Sequence, residues 1–371
     1  MRHNTVMGLL FSDMHDEVLP ELTGIRAIGS VPFGGRYRLI DFPLSNLVNA
    51  GVSKVGVITK SNYQSLMDHL GSGKAWGLSR KSEGLYFLPP TGGGDEHYEG
   101  RIASLAGIMP FLRRSKEEYV ILSDCHVVGN INYRKLVEYH IEKEADITMA
   151  YVKGAIPKHL QSPMMSIAYD GRVNDLYISD HSEHETENYG IGLYVIRREL
   201  LIRFVEAAMS RNQLSFEWDI LHRHIHDRRI FAYAVPEYLQ VICSLQSYFE
   251  ANRALLDASV REQLFKTKRP IYTKVRDTEP ALYGLHAKVR NSLIADGSKI
   301  EGTVHNSIIF RNVNVDRNAV IKNSIVMQGS VICGGTDLDY VILDKNVCIR
   351  EGRVLKGCAD YPVSVKKNTM V

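Results

Sequence analysis

Long apolar segments and an excess of one charge are both absent from this 371-residue sequence. No stretch reaches the roughly 18 consecutive apolar residues of a membrane-spanning helix, and acidic residues follow the start too closely for a signal peptide. The 45 basic and 42 acidic residues leave a formal net charge of +3, which is too small to predict nucleic acid or a membrane as the main partner. We therefore expect a cytoplasmic protein in which any phosphate site is a local cluster of cations.

The cysteines are few, and their spacing is unlike that of a paired set. Five is an odd number, and no two cysteines are separated by two residues. The sequence therefore predicts neither a disulfide framework nor a structural zinc site. We expect reduced, mostly buried thiols at Cys125, Cys243, Cys333, Cys348 and Cys358.

The first 260 residues alternate short apolar runs with longer amphipathic segments. Strands that alternate with helices indicate an α/β domain whose mostly parallel sheet is covered on both faces. In such a sheet a ligand binds beyond the carboxyl ends of the strands, so we expect a nucleotide at the loop Ser12–Glu17. The predicted strands are Val6–Phe11, Lys54–Thr59, Tyr119–Ser123 and Ile147–Tyr151, and the predicted helices are Arg134–Lys143, Leu200–Ser210 and Leu245–Leu256.

From residue 289 onward, apolar residues recur six positions apart, with Gly, Asn and Asp between them. This spacing is typical of a parallel β-helix, and several successive coils share it. The sequence therefore predicts a first domain over 1–260, a linker over 261–288 that includes the basic, apolar-poor segment Lys266–Pro280, and a β-helix over 289–371. The recurring positions include Ile294 and Ile300, then Ile309, Val315 and Ile321, then Val326, Ile332 and Leu338, then Val341 and Val347.

Two long blocks, Val31–Asn46 (VPFGGRYRLIDFPLSN) and Gly71–Pro90, resemble the ADP-glucose pyrophosphorylase (glucose-1-phosphate adenylyltransferase) family. The resemblance extends over essentially the whole chain and includes Gly192–Val195 and Tyr248–Asn252. It implies a Rossmann-like, GT-A-like α/β nucleotidyltransferase domain followed by a left-handed parallel β-helix domain. Members of the family join ATP and glucose 1-phosphate to give ADP-glucose and pyrophosphate, with magnesium held by carboxylates.

The phosphate loop of that family, Gly-Gly-x-Gly-Thr-Arg, is missing here. In its place stand Asp13, Asp16 and Glu17, with Val18 at the arginine position. A like charge about 4 Å from a phosphate oxygen costs on the order of 4 kcal/mol at an effective dielectric constant of about 20. We expect poor triphosphate binding, and two explanations of the carboxylates remain open. Either a metal ion bridges them to phosphate, or Asp16 or Glu17 caps a short helix in a solvated loop.

Other catalytic positions of the family also differ. Ile28 replaces a lysine near phosphate, and the segment Gly100–Ser104 (GRIAS) lacks a polar nucleotide contact. Cys125 stands at one metal-binding aspartate, with Asp124 one residue early, and only Asp219 matches the second. The sugar-phosphate segments are replaced by Ile178–Asn188 and Leu239–Ser244. The resemblance therefore implies no catalytic residue in this chain, a remnant metal ligand at Asp219, and no required cofactor, with magnesium relevant only to residual activity.

Basic residues occur within the block Val31–Asn46 and just before it. Arg26, Arg36 and Arg38 have the bidentate geometry that suits phosphate. We predict that they bind an anionic sugar-phosphate effector between the domains, and the alternative is that they pair with Asp41 or with backbone carbonyls. Lys366 and Lys367 either add to this site or lie in a solvated tail.

The pattern of losses resembles the non-catalytic, GlgD-type subunits of the family. It predicts a regulatory and structural subunit that forms a heterotetramer with a catalytic sister chain in glycogen biosynthesis. One alternative is an active glucose-1-phosphate adenylyltransferase with an atypical loop. Another is an acyltransferase that uses His305 of the β-helix.

Overall fold

The computed structural model describes residues 5–60, 62–80, 83–89, 100–158, 160, 162–178 and 186–371. Within these ranges the chain forms an α/β domain followed by a left-handed β-helix, as the sequence predicts. No helix among the described residues is long and apolar enough to cross a membrane.

One large sheet organises the first domain. Its strands lie in the order β10-β9-β11-β6-β1-β4-β5, and β8 pairs with both β11 and β12. Short two-stranded pairings join β2 to β3 and β7 to β13. The strands are β1 (Val6–Phe11), β2 (Pro32–Phe33), β3 (Tyr37–Arg38), β4 (Lys54–Ile58), β5 (Gly84–Leu88), β6 (Tyr119–Asp124), β7 (Val127–Gly129), β8 (Ile147–Gly154), β9 (Pro163–Ile167), β10 (Val173–Ile178), β11 (Glu187–Arg197), β12 (Ile230–Ala234) and β13 (Leu239–Val241).

The expectation of a mostly parallel sheet is wrong for half of its pairings. Strands β5, β4, β1 and β6 are parallel, but β11 runs antiparallel to β6, β8 and β9. Gly192 lies in β11 beside the end of β6 and has a φ of +67°. A side chain there would collide with the Asp124 carboxylate, so glycine is required for the two strands to meet at this point.

Helices cover both faces of the sheet. Successive residues of β1 point to opposite sides, so both faces carry apolar side chains that a helix must bury. Leu10 packs in one apolar cluster with α2 and α6, whereas Leu9 and Phe11 pack in another with α4 and α7. Asn132 caps α6, and Ser244 and Ser247 form a capping box on α8. The helices are α1 (Pro20–Thr23), α2 (Asp41–Asn49), α3 (Gln64–Leu70), α4 (Arg101–Gly107), α5 (Met109–Arg114), α6 (Tyr133–Glu142), α7 (Arg198–Met209), α8 (Leu245–Ala254) and α9 (Ala258–Leu264).

Three five-stranded parallel sheets form the sides of the β-helix. Their inward residues are buried aliphatics at the predicted six-residue spacing, such as Ile309, Val315 and Ile321. The sheets comprise β14 (Leu282–Tyr283), β17 (Lys299–Ile300), β20 (Asn314–Val315), β23 (Val331–Ile332) and β26 (Cys348–Ile349); β15 (Lys288–Arg290), β18 (Thr303–His305), β21 (Val320–Lys322), β24 (Asp337–Asp339) and β27 (Val354–Lys356); and β16 (Leu293–Ile294), β19 (Ile308–Ile309), β22 (Ile325–Val326), β25 (Val341–Leu343) and β28 (Val363–Val365).

The β-helix begins earlier than residue 289. Strand β14 pairs in parallel with β17, so the first coil starts at Leu282, inside the predicted linker 261–288. That linker also contains most of α9. Because neither segment shows the six-residue apolar repeat, the sequence pattern alone did not reveal this boundary.

The two domains share an apolar cluster. Phe33, Phe42 and Tyr248 of the first domain are buried with Ile308 and Phe310 of the β-helix. The surfaces beside this junction are therefore formed by elements of both domains that pack against each other.

Candidate functional site

The loop after β1 uses its carboxylates to hold its own backbone. Asp16 Oδ1 accepts the N–H of Ile28 at 2.6 Å, and Asp13 Oδ2 accepts the N–H of Lys60 at 2.5 Å. Burial, together with Asp13 and Glu17 nearby, raises the pKa of Asp16 to about 7, and burial also raises the pKa of Asp13. Asp16 thus accepts the first backbone N–H of the short 3-10 helix that starts at Ile28, although the N-cap residue of that helix is Ala27. The loop is only partly solvated, because Asp13 is 8% exposed whereas Glu17 is exposed.

Three other residues that differ from the family pattern pack in the protein interior. Ile28 is fully buried in the apolar cluster shared by the domains, and Val18 packs against it. Cys125 is also fully buried, and burial raises the pKa of its thiol well above the usual range. Neither Ile28 nor Cys125 offers a charge to a phosphate or a metal ion.

A buried ion pair fills the end of β6. The guanidinium of Arg101, the first residue of α4, bonds both carboxylate oxygens of Asp124 at 2.8 and 2.9 Å. Glu217 lies 3.4 Å from Arg101 Nε and accepts the hydroxyl of Tyr194 at 3.2 Å. Burial raises the pKa of Asp124, but Arg101 and His15 outweigh it and hold that pKa well below its usual range. The carboxylate at this strand end is therefore ionised and already neutralised by the protein.

Two histidines complete this cluster. His15 Nε2 lies 3.0 Å from Asp124 Oδ2, and the His15 and His126 rings have centroids 3.9 Å apart. His126 is 3% exposed, and its Nδ1 has no hydrogen-bond partner among the described residues. Burial lowers the pKa of His126 well below its usual value, so this ring is neutral.

Asp219, the predicted remnant metal ligand, lies apart from this cluster. Its Oδ2 accepts the N–H groups of Leu214 and Ser215 at 3.0 Å each, the two residues before the helical turn Phe216–His222, and Ser215 caps that turn. The carboxylate next to Arg101 is Glu217 instead. These residues do not fit the magnesium ion that the resemblance implies. Asp219 bonds backbone N–H groups, and the groups beside Asp124 are a guanidinium and two imidazoles rather than the oxygen ligands that magnesium prefers.

A second cleft lies between the β2–β3 hairpin, the segment after α9 and the β-helix. The free space between its lining atoms, including the part open to solvent, is about 410 Å³. Six cationic side chains line it, and none of its described lining residues is acidic. The cations are Arg36, Arg38, Lys274, Arg276, Arg311 and Lys345, and the other lining residues are Pro32, Gly35, Tyr37, His69, Phe310 and Gln328. We call this cleft the cationic pocket.

Only some of these charges are offset locally. Arg311 Nε pairs with Asp296 at 3.0 Å, whereas Arg38 Nη1 donates to the Ser65 carbonyl and hydroxyl at 2.5 and 2.9 Å. Lys345 is largely buried, and its burial and the nearby Arg38 and Arg26 lower its pKa to about 7. A pocket whose cations repel one another this strongly favours an anion.

The prediction for Arg26 is wrong, because it is not a lining residue of the cationic pocket. Its Nη1 and Nη2 bond the two oxygens of Asp344 at 2.9 and 2.8 Å, and both side chains are 2% exposed. Arg26 thus joins the first domain to the β-helix. Arg36 and Arg38 do line the pocket, while Asp41 accepts the backbone N–H of Arg38 rather than its guanidinium.

Comparisons with known proteins agree with this architecture. A model of the "Nucleotidyl transferase" family matches residues 19–258, and one described as "GlmU-like, C-terminal hexapeptide" matches residues 280–357. The glycogen biosynthesis protein GlgD of Bacillus subtilis (strain 168) is 34% identical over 99% of this chain and 97% of its own. The GlgD protein of Geobacillus stearothermophilus is 35% identical, with 99% and 98% covered. The glucose-1-phosphate adenylyltransferase of Clostridium perfringens (strain 13 / Type A) is 30% identical, with 95% and 97% covered.

The chain belongs to the family of GlgD proteins and glucose-1-phosphate adenylyltransferases. The resemblance drawn from Val31–Asn46 is thereby confirmed, as is the nucleotidyltransferase fold. The buried Arg101–Asp124 pair lies at the end of β6, one residue before Cys125, where the resemblance to the family implies a metal-binding aspartate.

Sequence reasoning missed Arg101 as a member of the cleft. An arginine at the start of an otherwise apolar segment (RIASLAG) was the available signal, because such a residue needs a buried partner. It also missed Lys274 and Arg276, which were assigned to a linker, and Lys345 of the β-helix.

Other candidates lie elsewhere. His305 of β18 stands in register between Arg290 and Lys322, two cations that would oppose its action as a base. Lys366 and Lys367 are exposed. Most of the acidic segment 178–188 lies outside the described residues, which exclude 179–185.

Proposed function

We propose that this chain is a non-catalytic subunit that acts in glycogen biosynthesis by assembling with a catalytic glucose-1-phosphate adenylyltransferase and regulating it. The observation that supports this proposal is the difference between the two clefts. The family's catalytic strand end is filled by Arg101, Asp124 and Glu217, whereas the cationic pocket has six cations and no acidic lining residue.

Adenylyl transfer needs donors around a triphosphate and a metal ion that offsets its charge. The loop after β1 instead directs Asp13 and Asp16 at backbone N–H groups. Bringing a triphosphate here would place anions against these carboxylates and against Glu217. The arrangement therefore disfavours catalysis at this cleft and requires no magnesium ion.

The cationic pocket suits a compact phosphate ester of high negative charge. Arg36 lies over the Tyr37 ring at 5.7 Å, a contact that leaves its N–H groups available. Among the described residues, Lys274 donates to the Asp68 carbonyl at 2.5 Å. Because residues of both domains line the pocket, an anion there would connect them. We propose that a sugar phosphate binds here as the effector, and that Arg36 and Arg38, but not Arg26, contact it.

Assembly is tested by co-expression with a catalytic glucose-1-phosphate adenylyltransferase. The proposal expects one species with the mass of a tetramer that contains both chains. Two chains that elute separately at micromolar concentration, each with its own mass, would contradict it.

Replacing Arg36 with alanine is expected to weaken sulfate and sugar-bisphosphate binding by about tenfold or more. A hydrogen bond to a charged group contributes about 1.5–3 kcal/mol. Isothermal titration calorimetry measures the change. Arg290→Ala is the matched control, because Arg290 is an exposed cation of β15 outside the pocket. An unchanged dissociation constant in Arg36→Ala would place the anion elsewhere.

Sulfate binding is expected to weaken as pH rises through about 7, by at most tenfold per pH unit. The ammonium form of Lys345 attracts the anion, and this group loses its proton above its lowered pKa of about 7. Sulfate keeps its charge over this range, whereas a phosphate monoester gains charge near pH 6. The charged or titratable groups facing Lys345 are Arg26, Arg38, His69, Asp344 and Lys367.

The matched variant for this measurement is Lys345→Met. Its sulfate affinity should be lower at pH 6 and nearly constant between pH 6 and 8.5. Burial lowers the pKa of His69 from its usual value, so His69 titrates on the acid side of the change expected for Lys345. A pH dependence that survives in Lys345→Met would assign it to another group.

A further inference from the structure

We propose that His15, Asp124 and His126 form a binding site for one divalent transition-metal ion of the zinc class. One potential ligand atom from each residue lies within 4.8 Å of the other two. The proposal goes beyond the regulatory function and is independent of it.

The three ligands converge because of where their strands end. His15 follows β1, Asp124 is the last residue of β6, and these two strands are parallel neighbours. Parallel strands place their carboxyl ends at one edge of a sheet. The backbone of this edge is further fixed by Asp13 and Asp16, which bond the N–H groups of Lys60 and Ile28.

His126 supplies the observation that points to a ligand. Its ring is 3% exposed, and its Nδ1 has no partner among the described residues. Leaving such a buried nitrogen without a partner is unfavourable. Coordination to a metal ion would satisfy a neutral imidazole nitrogen, and it would not require the ring to gain a proton.

The chemistry of the ligands selects the metal. Two imidazoles and one carboxylate, with one position left for water, match zinc sites that keep an open coordination position. Magnesium prefers oxygen ligands in an octahedral arrangement, so this set disfavours it. The Cys125 thiol is not a ligand, because its Cβ and Sγ lie on the side of Gly29 and its pKa is raised by burial.

Arg101 is compatible with a metal ion if the Asp124 carboxylate is shared. Arg101 Nη1 and Nη2 donate to Oδ1 and Oδ2, and His15 Nε2 lies 3.0 Å from the same Oδ2. A metal ion would take the second lone pair of Oδ2, which His15 contacts now, while Arg101 orients the carboxylate. Partners of this kind are usual behind metal ligands. Glu217, 3.4 Å from Arg101 Nε, offsets the guanidinium charge. With a bound hydroxide, the cluster would be close to neutral.

The test is calorimetric titration of the full chain, without an affinity tag, with zinc and separately with magnesium. The decisive variant is His15→Ala. Its matched control is His224→Ala, because His224 lies 2.9 Å from Asp227 and is 27% exposed, whereas His15 lies 3.0 Å from Asp124 and is 24% exposed. Cobalt absorption spectra of the same three proteins report whether the bound ion is tetrahedral.

The proposal expects one zinc ion per chain, a tetrahedral cobalt spectrum and no comparable magnesium binding. It also expects a zinc affinity lowered on the order of 100-fold in His15→Ala and unchanged in His224→Ala. It is overturned by an unchanged affinity in His15→Ala, by a loss only in His224→Ala, or by magnesium competing equally with zinc.

A separate control distinguishes loss of folding from loss of zinc binding. Thermal denaturation without metal shows whether His15→Ala is folded, and His126→Gln provides a second variant that removes a different ligand. Zinc that still binds at wild-type affinity to a folded His126→Gln chain would also overturn the proposal.

Discussion

Replacing Asp344 with alanine is expected to lower the free energy of unfolding by about 3–5 kcal/mol. The substitution leaves the Arg26 guanidinium buried without its partner, since both side chains are only 2% exposed. The bidentate contact also joins the first domain to the β-helix across 318 residues of chain. Equilibrium urea denaturation measures the loss.

Two further variants separate this charge effect from a general effect of the β-helix. Asp337→Ala removes the Asp337–Lys356 pair, whose side chains are 32% and 58% exposed, and should change stability little. The double variant Arg26→Met with Asp344→Leu removes both charges and should recover most of the loss, because an apolar pair of similar volume needs no partner. A small loss in Asp344→Ala alone would show that Arg26 finds water or another acceptor.

Replacing Arg101 with alanine is expected to destabilise the first domain by about 3–5 kcal/mol at pH 7. Asp124 and Arg101 are 1% and 3% exposed, so the carboxylate would be left buried and charged. The guanidinium also lies 4.6 Å from the centre of the Phe11 ring and 5.2 Å from that of Tyr194. Thermal and urea denaturation measure the difference.

The effect of Arg101→Ala should depend on pH. In the native chain, Arg101 and His15 outweigh burial and depress the pKa of Asp124, so the pair's contribution is complete above the unfolded pKa of about 4. It is lost as pH falls below that value toward the folded pKa. The stability gap between native chain and variant should therefore narrow below pH 4.

The matched control for Arg101→Ala is Arg113→Ala, which removes an exposed arginine–glutamate pair. The side chains of Arg113 and Glu206 are 62% and 45% exposed, and the expected change is within about 1 kcal/mol. Equal losses in the two variants would contradict the view that burial makes the Arg101–Asp124 pair important.

Local patterns predicted the regular elements closely. The structure places β1 at the predicted Val6–Phe11 and α6 one residue from the predicted Arg134–Lys143. The six-residue repeat revealed the β-helix, because each coil must bury an aliphatic residue at the same place. The direction of β11 and the first coil at Leu282 were missed, since neither alters the local pattern.

The candidate site was less predictable, because it depends on contacts distant in sequence. The missing glycines and arginine of the phosphate loop correctly directed attention to Asp16, whose bond to the backbone N–H of Ile28 follows from its short side chain. The partner of Arg26 lies 318 residues away, so no local rule distinguished a structural arginine from Arg36. Most of the cationic pocket was missed for the same reason, because it combines residues of the β2–β3 hairpin, α3, the segment after α9 and the β-helix.

The residues at the end of β6 and those of the cationic pocket differ in how far their charges are paired, and this difference supports separate roles for the two clefts. At the first cleft the charged side chains pair with one another or with backbone N–H groups, so we expect the fold there to be stable without nucleotide. The cationic pocket shows the opposite condition, since its lining charges exceed their internal partners. We therefore expect ligand-dependent behaviour to come from the cationic pocket and catalysis to come from a partner chain.

The most direct measurement is ADP-glucose synthesis, with magnesium, by the purified chain alone, by a catalytic glucose-1-phosphate adenylyltransferase alone, and by the two co-expressed. The account predicts no turnover by the chain alone, and in the mixture a higher rate or a higher effector affinity than the catalytic protein shows alone. Robust magnesium-dependent turnover by the isolated chain would contradict it. In that case the chain would be an active adenylyltransferase with an unusual acidic loop.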